Sequence, residues 1–363
     1  MRIEDEIKLT FDDVLIRPKR STLVSRSEVV LERQFKFKHT NEIWTGVPIF
    51  SANMDTTGTF ETAITLQKHK MLTAIHKFYS IKDWEKNVEK LDPNFISVTV
   101  GQSKEDLQLG QKIFSLNSDI KYLCIDVANG YREDFINSVK NYRETFPDKI
   151  IIAGNVATRE MTEALILAGA DIVKIGIGPG SVCTTRSVAG VGYPQLSSIS
   201  ECSDAAHGLG GHVMADGGCK YPGDVSKAFG AGADYVMLGG MFAGHKESGG
   251  ELVTDEEGVQ YKDFYGMSST KAQQTYYGDL AEHRAPEGKK VRLRYKGDLD
   301  KTVQSILGGM RSACSYVGAK KLKDLPKSTT FIRVTQTTNE IFTGSENICC
   351  LLYTSPSPRD PTK

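Results

Sequence analysis

Eight short apolar runs recur along the chain, and they constrain the fold more than any other feature. They are Val47–Phe50, Met71–Ile75, Phe95–Val100, Tyr122–Val127, Ile150–Ala153, Ile172–Ile175, His212–Ala215 and Tyr235–Leu238. Each is nearly continuous in apolar residues, as a strand buried on both faces requires. Between them lie segments with helical periodicity, such as Phe60–His69, Leu107–Leu116, Phe135–Phe146 and Met161–Ala168. The spacing, roughly 25 residues, fits strand–helix units that build a parallel sheet. One unit is an explicit repeat: Ala168-Gly-Ala-Asp-Ile-Val-Lys-Ile-Gly176 matches Ala231-Gly-Ala-Asp-Tyr-Val-Met-Leu-Gly239. Each copy reads as a helix end, a tight turn and the next strand. Eight such units predict an α/β chain folded as a (β/α)8 TIM barrel. An open doubly wound sheet ranks second, because no G-x-G-x-x-G fingerprint opens the first unit.

In such a barrel the chemistry sits where the strands end. The residues just after the runs are small, polar or charged: Ser51–Asp55, His76–Lys77, Asp126–Gly130, Gly154–Asn155, Asp216–Gly218 and Gly239–Gly240. The richest stretch follows the sixth run, GIGPGSVCTTRSVAGVGYPQ from Gly176 to Gln195. Its glycines allow positive φ and a close backbone approach to a ligand, and successive N–H groups can cradle anionic oxygens. Cys183 lies in its middle with Arg186 nearby, and a neighbouring cation with free backbone donors makes a thiol nucleophilic. By residue type alone a small inert cysteine in a turn is the commoner case. The density of glycines, hydroxyls and charge around this one points toward function. Loops after the seventh and eighth strands commonly bind phosphate, which singles out Gly217–Gly218 and Gly239–Gly240, with Asp216 placed to accept from ribose hydroxyls.

From Met241 to Gly297 the pattern breaks into a polar insertion, expected to be a mobile flap after the eighth strand or else a solvated hairpin. A closing helix is expected over Asp298–Gly318. One catalytic domain is expected over residues 1–345. The segment 346–363 contains ICCLLYTSPSPRDPTK, lacks periodicity and reads as a non-native read-through tail, left out of the fold argument.

Lysine plus arginine equals aspartate plus glutamate, 45 each, so nothing in the charge balance advertises nucleic acid or a membrane as partner. No apolar run approaches the roughly 20 residues of a membrane span. The acidic, mixed N-terminus is not a signal peptide, and seven cysteines without framework spacing read as reduced thiols of a cytoplasmic protein.

Several long motifs in order, GPGSVCTTR with GVGYPQ, ADGG, MLGGM, YGMSS and ILGGMRSACSYVGA, resemble the IMP dehydrogenase/GMP reductase family. The likeness runs from Arg2 to about Ser345. Two features resemble its reductase branch. Ile75–His76–Lys77 passes through one short helix, Ile81–Leu91, straight to the third strand, with no room for the regulatory CBS modules usual in the dehydrogenases. The flap carries RAPEGK around Glu287 where the dehydrogenases have an Arg–Tyr pair, with proline at Pro286 where the reductase pattern has a small residue.

The resemblance implies a (β/α)8 homotetramer in the cytosol that uses NADPH to deaminate GMP reductively to IMP and ammonia, in purine salvage. It implies Cys183 as the nucleophile forming a thioimidate at purine C2, with Thr185 and Glu287 as a proton-transfer pair. By the same likeness the nucleotide site comprises Ser181, Asp216, Gly217, Gly218, Gly239, Gly240, Tyr265, Gly266, Met267, Ser268, Arg284, Ala285, Pro286 and Gly288. The dinucleotide positions are Lys77, Asp126, Val127, Ala128, Gly178, Met267 and Arg284. Ser25, Arg26, Ser312, Ala313, Cys314 and Ser315 are implied from a neighbouring subunit's side. Loop carbonyls near Gly178, Gly180, Cys183 and Arg186 match a site for a monovalent cation such as K+. The rivals are an IMP dehydrogenase without CBS modules, a nucleotide-binding barrel that has lost catalysis, and a flavin-dependent barrel oxidoreductase, which would not need Cys183.

Overall fold

The computed structural model describes residues 1, 3–276, 278 and 285–335. Its centre is a closed barrel of eight parallel strands: β1 (Ile49–Ser51), β2 (Leu72–Ile75), β3 (Ile96–Val100), β4 (Tyr122–Asp126), β5 (Ile150–Val156), β6 (Ile172–Ile175), β7 (His212–Asp216) and β8 (Tyr235–Leu238). Neighbours follow chain order, and β8 closes on β1 with Val236 opposite Ile49. All eight predicted runs are strands of this barrel. Several boundaries shift by a residue or two, and the largest shift is at β5, which continues past Ala153 to Val156, so Asn155 lies within a strand rather than in a loop.

Helices surround the barrel: α1 (Phe60–Leu66), α2 (Ile81–Asn87), α3 (Lys104–Leu116), α4 (Glu133–Thr145), α5 (Arg159–Leu167), α6 (Gln195–Gly208), α7 (Pro222–Gly230) and α8 (Leu299–Val317). Their starts follow local chemistry. Ser80 and Ser103 each accept from the backbone N–H three residues on, while Asp83 and Asp106 reach back to the cap, a reciprocal box that satisfies donors otherwise orphaned.

Strand residues alternate between two cores, as a period of two demands. Leu123, Ile125, Ile151, Ala153, Val173 and Ile175 face the helices. Phe50, Leu72, Tyr122, Cys124, Ile152, Ile172, Met214 and Tyr235 fill the interior. A hairpin, Arg33–Lys36 with Ile43–Gly46, plugs the end where the strands begin. Phe35 stacks on Tyr235 at 4.5 Å, and Trp44 meets Tyr122 edge-on at 6.1 Å.

The repeat noted in the sequence explains how that plug is held. Asp171 accepts from the N–H of Ile151 (3.0 Å), the N–H of His39 (3.0 Å) and Arg143 (2.5 Å). Asp234, its counterpart, accepts from the N–H of Val213 (3.2 Å), His207 (2.7 Å) and Arg33 (3.1 Å). Each aspartate ties its turn to the preceding strand and to the N-terminal hairpin segment.

Between β8 and α8 lies an antiparallel sheet of Leu252–Thr254, Gln260–Tyr265 and Lys290–Arg294, followed within its second connection by the helix Thr270–Tyr276. It is more than a solvated hairpin. Phe264 is buried with Val182 and Ala243, and Met54, Val291 and Leu293 pack against them. The predicted closing helix is α8, which ends at Gly318. The segment 346–363 lies outside the described residues.

Candidate active site

The site forms where the loops after β6, β7 and β8 meet the insertion. Cys183 is held by its own N–H, which donates to Gly180 O (3.1 Å), and by Thr184 N–H donating to Glu287 O (3.0 Å). A single helical turn, Thr185–Val188, then aims Thr185 back at the thiol. Cys183 Sγ and Thr185 Oγ1 stand 3.2 Å apart, and the threonine hydroxyl donates to Glu287 Oε2 at 2.7 Å. Three residues separated by up to 104 positions in sequence thus form one chain of hydrogen bonds. Backbone pairing holds Glu287 there: its N–H donates to Ser268 O (3.1 Å), and Lys289 N–H donates to Val182 O (2.9 Å).

The predicted nucleotide positions largely converge. Gly217 and Gly218 both have positive φ, +90° and +89°, which favours glycine, and a Cβ at Gly217 would stand 3.0 Å from Pro179 Cγ. A Cβ at Gly240 would stand 3.1 Å from Ser181 Oγ, so Ser181 lies over that loop. Gly239 faces Met54, and Gly266 lies against Gly288 and the Val182 carbonyl. Met267 and Ser268 occupy the turn beside Gly288, half-buried, while Ala285 and Pro286 are exposed. Arg284 lies outside the described residues. Tyr265 contributes a buried ring, but its hydroxyl donates to Asp55 rather than standing free.

Arg186 departs from the sequence expectation. Its guanidinium donates to Tyr193 O (2.7 Å), and its stem covers Gly178 and Gly192, where a Cβ would come within 2.7 and 2.8 Å of Arg186 Cγ. It braces the loop upon itself instead of pairing with the thiol.

On the other side of the barrel mouth stand Lys77, Asp126, Val127 and the exposed Ala128. Burial works against ionisation of Asp126, but the ammonium of Lys174 outweighs it and holds the carboxyl below the usual carboxylate range. His76, beside Lys77, is pushed down to about 4 by burial. The turn at Arg26–Glu28 packs on α8, which brings Ser25 and Arg26 to the helix carrying Ser312, Ala313 and Ser315. Cys314, implied at the same position, turns its side chain into the core with Val29 and Met310. Burial pushes that thiol up to about 11.

Lys174 and Tyr276 escaped the sequence reading, and Asn155 and Asp55 entered it as rim residues without a role. Lys174 is 3% exposed and bridges Asp126 (2.5 Å) and Asp216 (2.8 Å). Asn155 donates to Asp216 (2.8 Å) and to Gly176 O (2.9 Å). Asp55 accepts from Tyr265 and from Tyr276 (2.6 Å). The available signal for Lys174 was a lysine at an inward position of an otherwise apolar strand. Asn155 and Asp55 carried only their place after a strand, and Tyr276 carried none.

Among the described residues no cluster of three or more His, Cys, Asp or Glu side chains could hold a metal ion, and no helix is long and apolar enough to cross a membrane. Comparison with known proteins shows the family. The profile of the IMP dehydrogenase / GMP reductase domain matches residues 8–341. A protein named GMP reductase from Buchnera aphidicola is 58% identical over 345 residues, covering 94% of this chain and 99% of its own. One of the same name from Escherichia coli is 57% identical over 345 residues, with the same coverage. Another from Caenorhabditis elegans is 56% identical over 348 residues, covering 95% of this chain and 97% of its own.

Proposed function

We propose that this chain, which belongs to the IMP dehydrogenase / GMP reductase family, is a reductase that converts GMP to IMP and ammonia with NADPH. The observation that carries the reading is the hydrogen-bonded chain from Cys183 through Thr185 to Glu287, at 3.2 and 2.7 Å. In this reading the Cys183 sulfur adds to purine C2 and the 2-amino group leaves as ammonia, giving a thioimidate. Amine departure needs a proton as the C–N bond breaks, and Thr185 relays it from Glu287. When bound, NADPH supplies the hydride that returns C2 to a C–H and frees the thiol.

The nucleotide's phosphate is assigned to Ser181, Gly217–Gly218 and Gly239–Gly240, and its ribose to Asp216. The residues at the opposite lip fit a nicotinamide. Asn155 Oδ1 is buried without a hydrogen-bond partner among the described residues, an acceptor suited to a carboxamide N–H, and Lys77 lies near Asp126. Val127, Ala128 and Met267 complete that side. Neutral backbone oxygens at Gly178, Gly180, Cys183 and Arg186 suit a monovalent cation such as K+ better than a divalent ion.

A homotetramer follows in the same reading. It is supported by the exposed face where Ser25 and Arg26 meet α8, bordered by Val24 (96% exposed) and Tyr316 (60% exposed). A cytosolic location accords with the free thiols of Cys124, Cys183, Cys202, Cys219 and Cys314. The insertion 241–297 acts as the flap that delivers Glu287.

One assay tests the reading. NADPH absorbance should fall with GMP, and IMP with NAD+ should form little NADH. Rapid NADH formation from IMP instead would assign the dehydrogenase reaction, and absence of both would leave a non-catalytic nucleotide binder.

A further inference from the structure

Lys174 is an unusual occupant of a barrel interior. The alternation of β6 sends Ile172 and Lys174 inward and Val173 and Ile175 outward. The interior layer beneath is apolar, with Cys124, Ile152 and Met214. An apolar residue would pack there without the cost of desolvating an ammonium, which amounts to several kcal/mol even after relaxation. Burial does work against the charge on Lys174, but Asp126 and Asp216 outweigh it and raise its pKa.

We propose that Lys174 is a positioning residue: its ammonium, bonded to Asp126 at 2.5 Å and Asp216 at 2.8 Å, holds both carboxyl groups aimed, one toward the cofactor and one toward the ribose. The proposal rests on the assignments of Asp216 and Asp126 made under Proposed function. Both aspartates end their strands, β4 and β7, on either side of β5 and β6, so one cation spans the barrel mouth between the two half-sites. Asn155 fixes Asp216 from β5 through its Nδ2 (2.8 Å). The other groups facing the cluster are Lys77 and Asn53 near Asp126, and the Cys124 thiol below, which burial pushes up to about 12. Two carboxylates against one buried ammonium leave a surplus acceptor charge at the mouth. Hydrogen-bond donors on both ligands would meet it.

The test compares Lys174→Gln and Lys174→Arg with wild type, reading kcat/KM for GMP reduction from pH 5 to 9. Without the lysine charge, Asp126 takes up a proton at higher pH. The acid limb of the Lys174→Gln profile should move up by about one pH unit or more. Lys174→Arg, which keeps the charge, should leave the limb in place even if turnover drops. A lysine that only supports packing would lower the whole profile without moving its limb, and that result in Lys174→Gln would overturn the proposal. Should Lys174→Gln fail to fold, the charge-balanced pair Lys174→Met with Asp126→Asn replaces it. Calorimetry should then show GMP binding about tenfold or more weaker than in Asp126→Asn alone, because Asp216 has lost a charge-assisted partner. Equal affinity in those two variants would overturn the proposal. A wild type that neither binds GMP nor oxidises NADPH with it sinks the functional reading first, whereas a fully active wild type with an unmoved limb in Lys174→Gln sinks only the role of Lys174.

Discussion

Thr185 has one hydroxyl proton and two neighbours. It donates to Glu287, so it presents an oxygen lone pair to the Cys183 sulfur. In the proposed mechanism this polarity lets the threonine relay a proton in a direction the glutamate sets. Glu287→Gln keeps an acceptor for the hydroxyl but cannot exchange a proton. Deamination should slow by roughly 10²–10⁴-fold, the range of a general acid–base contribution, with far less effect on hydride transfer. Rapid-quench separation of the two steps checks this; blocked hydride transfer with intact deamination would reassign the flap carboxylate. Cys183→Ala should abolish turnover and leave GMP binding nearly unchanged, since binding is assigned to phosphate and ribose contacts. Residual NADPH oxidation by that variant would rule out covalent catalysis. Cys183 stood out through its loop, and Thr185 and Glu287 through the family resemblance, and the fold brings the three within hydrogen-bond distance. Lys174 did not stand out, because a lysine inside a run of isoleucine and valine has no visible partner until Asp126 and Asp216 converge on it.

The flap's attachment to the rim belongs to the scale of elements. Tyr276, at the end of the helix Thr270–Tyr276, donates to Asp55 after β1 and stacks on Phe78 after β2 at 3.6 Å. Asp55 also receives the hydroxyl of Tyr265 from the flap sheet. One carboxylate therefore clasps two parts of the insertion to the barrel. Tyr276→Phe keeps the stacked ring and removes one hydrogen bond to a charged acceptor, a loss of about 1.5–3 kcal/mol at most in the clasped state. Steady-state kinetics should show KM for GMP raised by about tenfold, with kcat changed less, and amide exchange across Gln260–Tyr265 should quicken. An unchanged KM together with unchanged exchange would mean the clasp does not govern closure. The sequence marked the insertion's extent by a break in periodicity. It did not mark the clasp, because Asp55 and Tyr276 are 221 residues apart.

At the scale of the whole molecule, Asp234 links the plug, β7 and α6 in a single buried knot. Burial opposes its ionisation, yet the hydrogen bond from His207 at 2.7 Å, the imidazole of His212 at 3.4 Å and the charge of Arg33 hold its carboxyl far below the usual range. His212 moves the other way: burial disfavours the imidazolium, and Asp234 outweighs this to raise its pKa. The depressed carboxyl contributes stability above its unfolded value near pH 4, lost as pH falls through the folded value. The raised imidazole contributes fully below its unfolded value near pH 6.5, and that share is lost as pH rises through the folded one. Wild type and Asp234→Asn should therefore differ most between about pH 4 and about pH 6.5, by about 3–5 kcal/mol, and less above it. Urea melts across that range measure the difference; one that grows toward pH 8 would contradict the assignment.

The sequence by itself determined the barrel. Strand burial on two faces demands apolar runs, their recurrence eight times with helices between matches a (β/α)8 barrel, and both signals are local, short in range and repeated. It also put the Cys183 thiol among glycines and hydroxyls, because a single loop of contiguous residues holds them. The tertiary structure decided what joins residues far apart. It turned Arg186 away from Cys183 and onto Tyr193 O, put the Cys314 thiol inside the core, and gathered Asp126, Lys174 and Asp216 from three strands. The physical reason is the reach of each effect. Propensity and periodicity act over a few neighbouring residues, whereas the energy of a buried charge depends on whichever groups the closed barrel brings within a few ångströms of it.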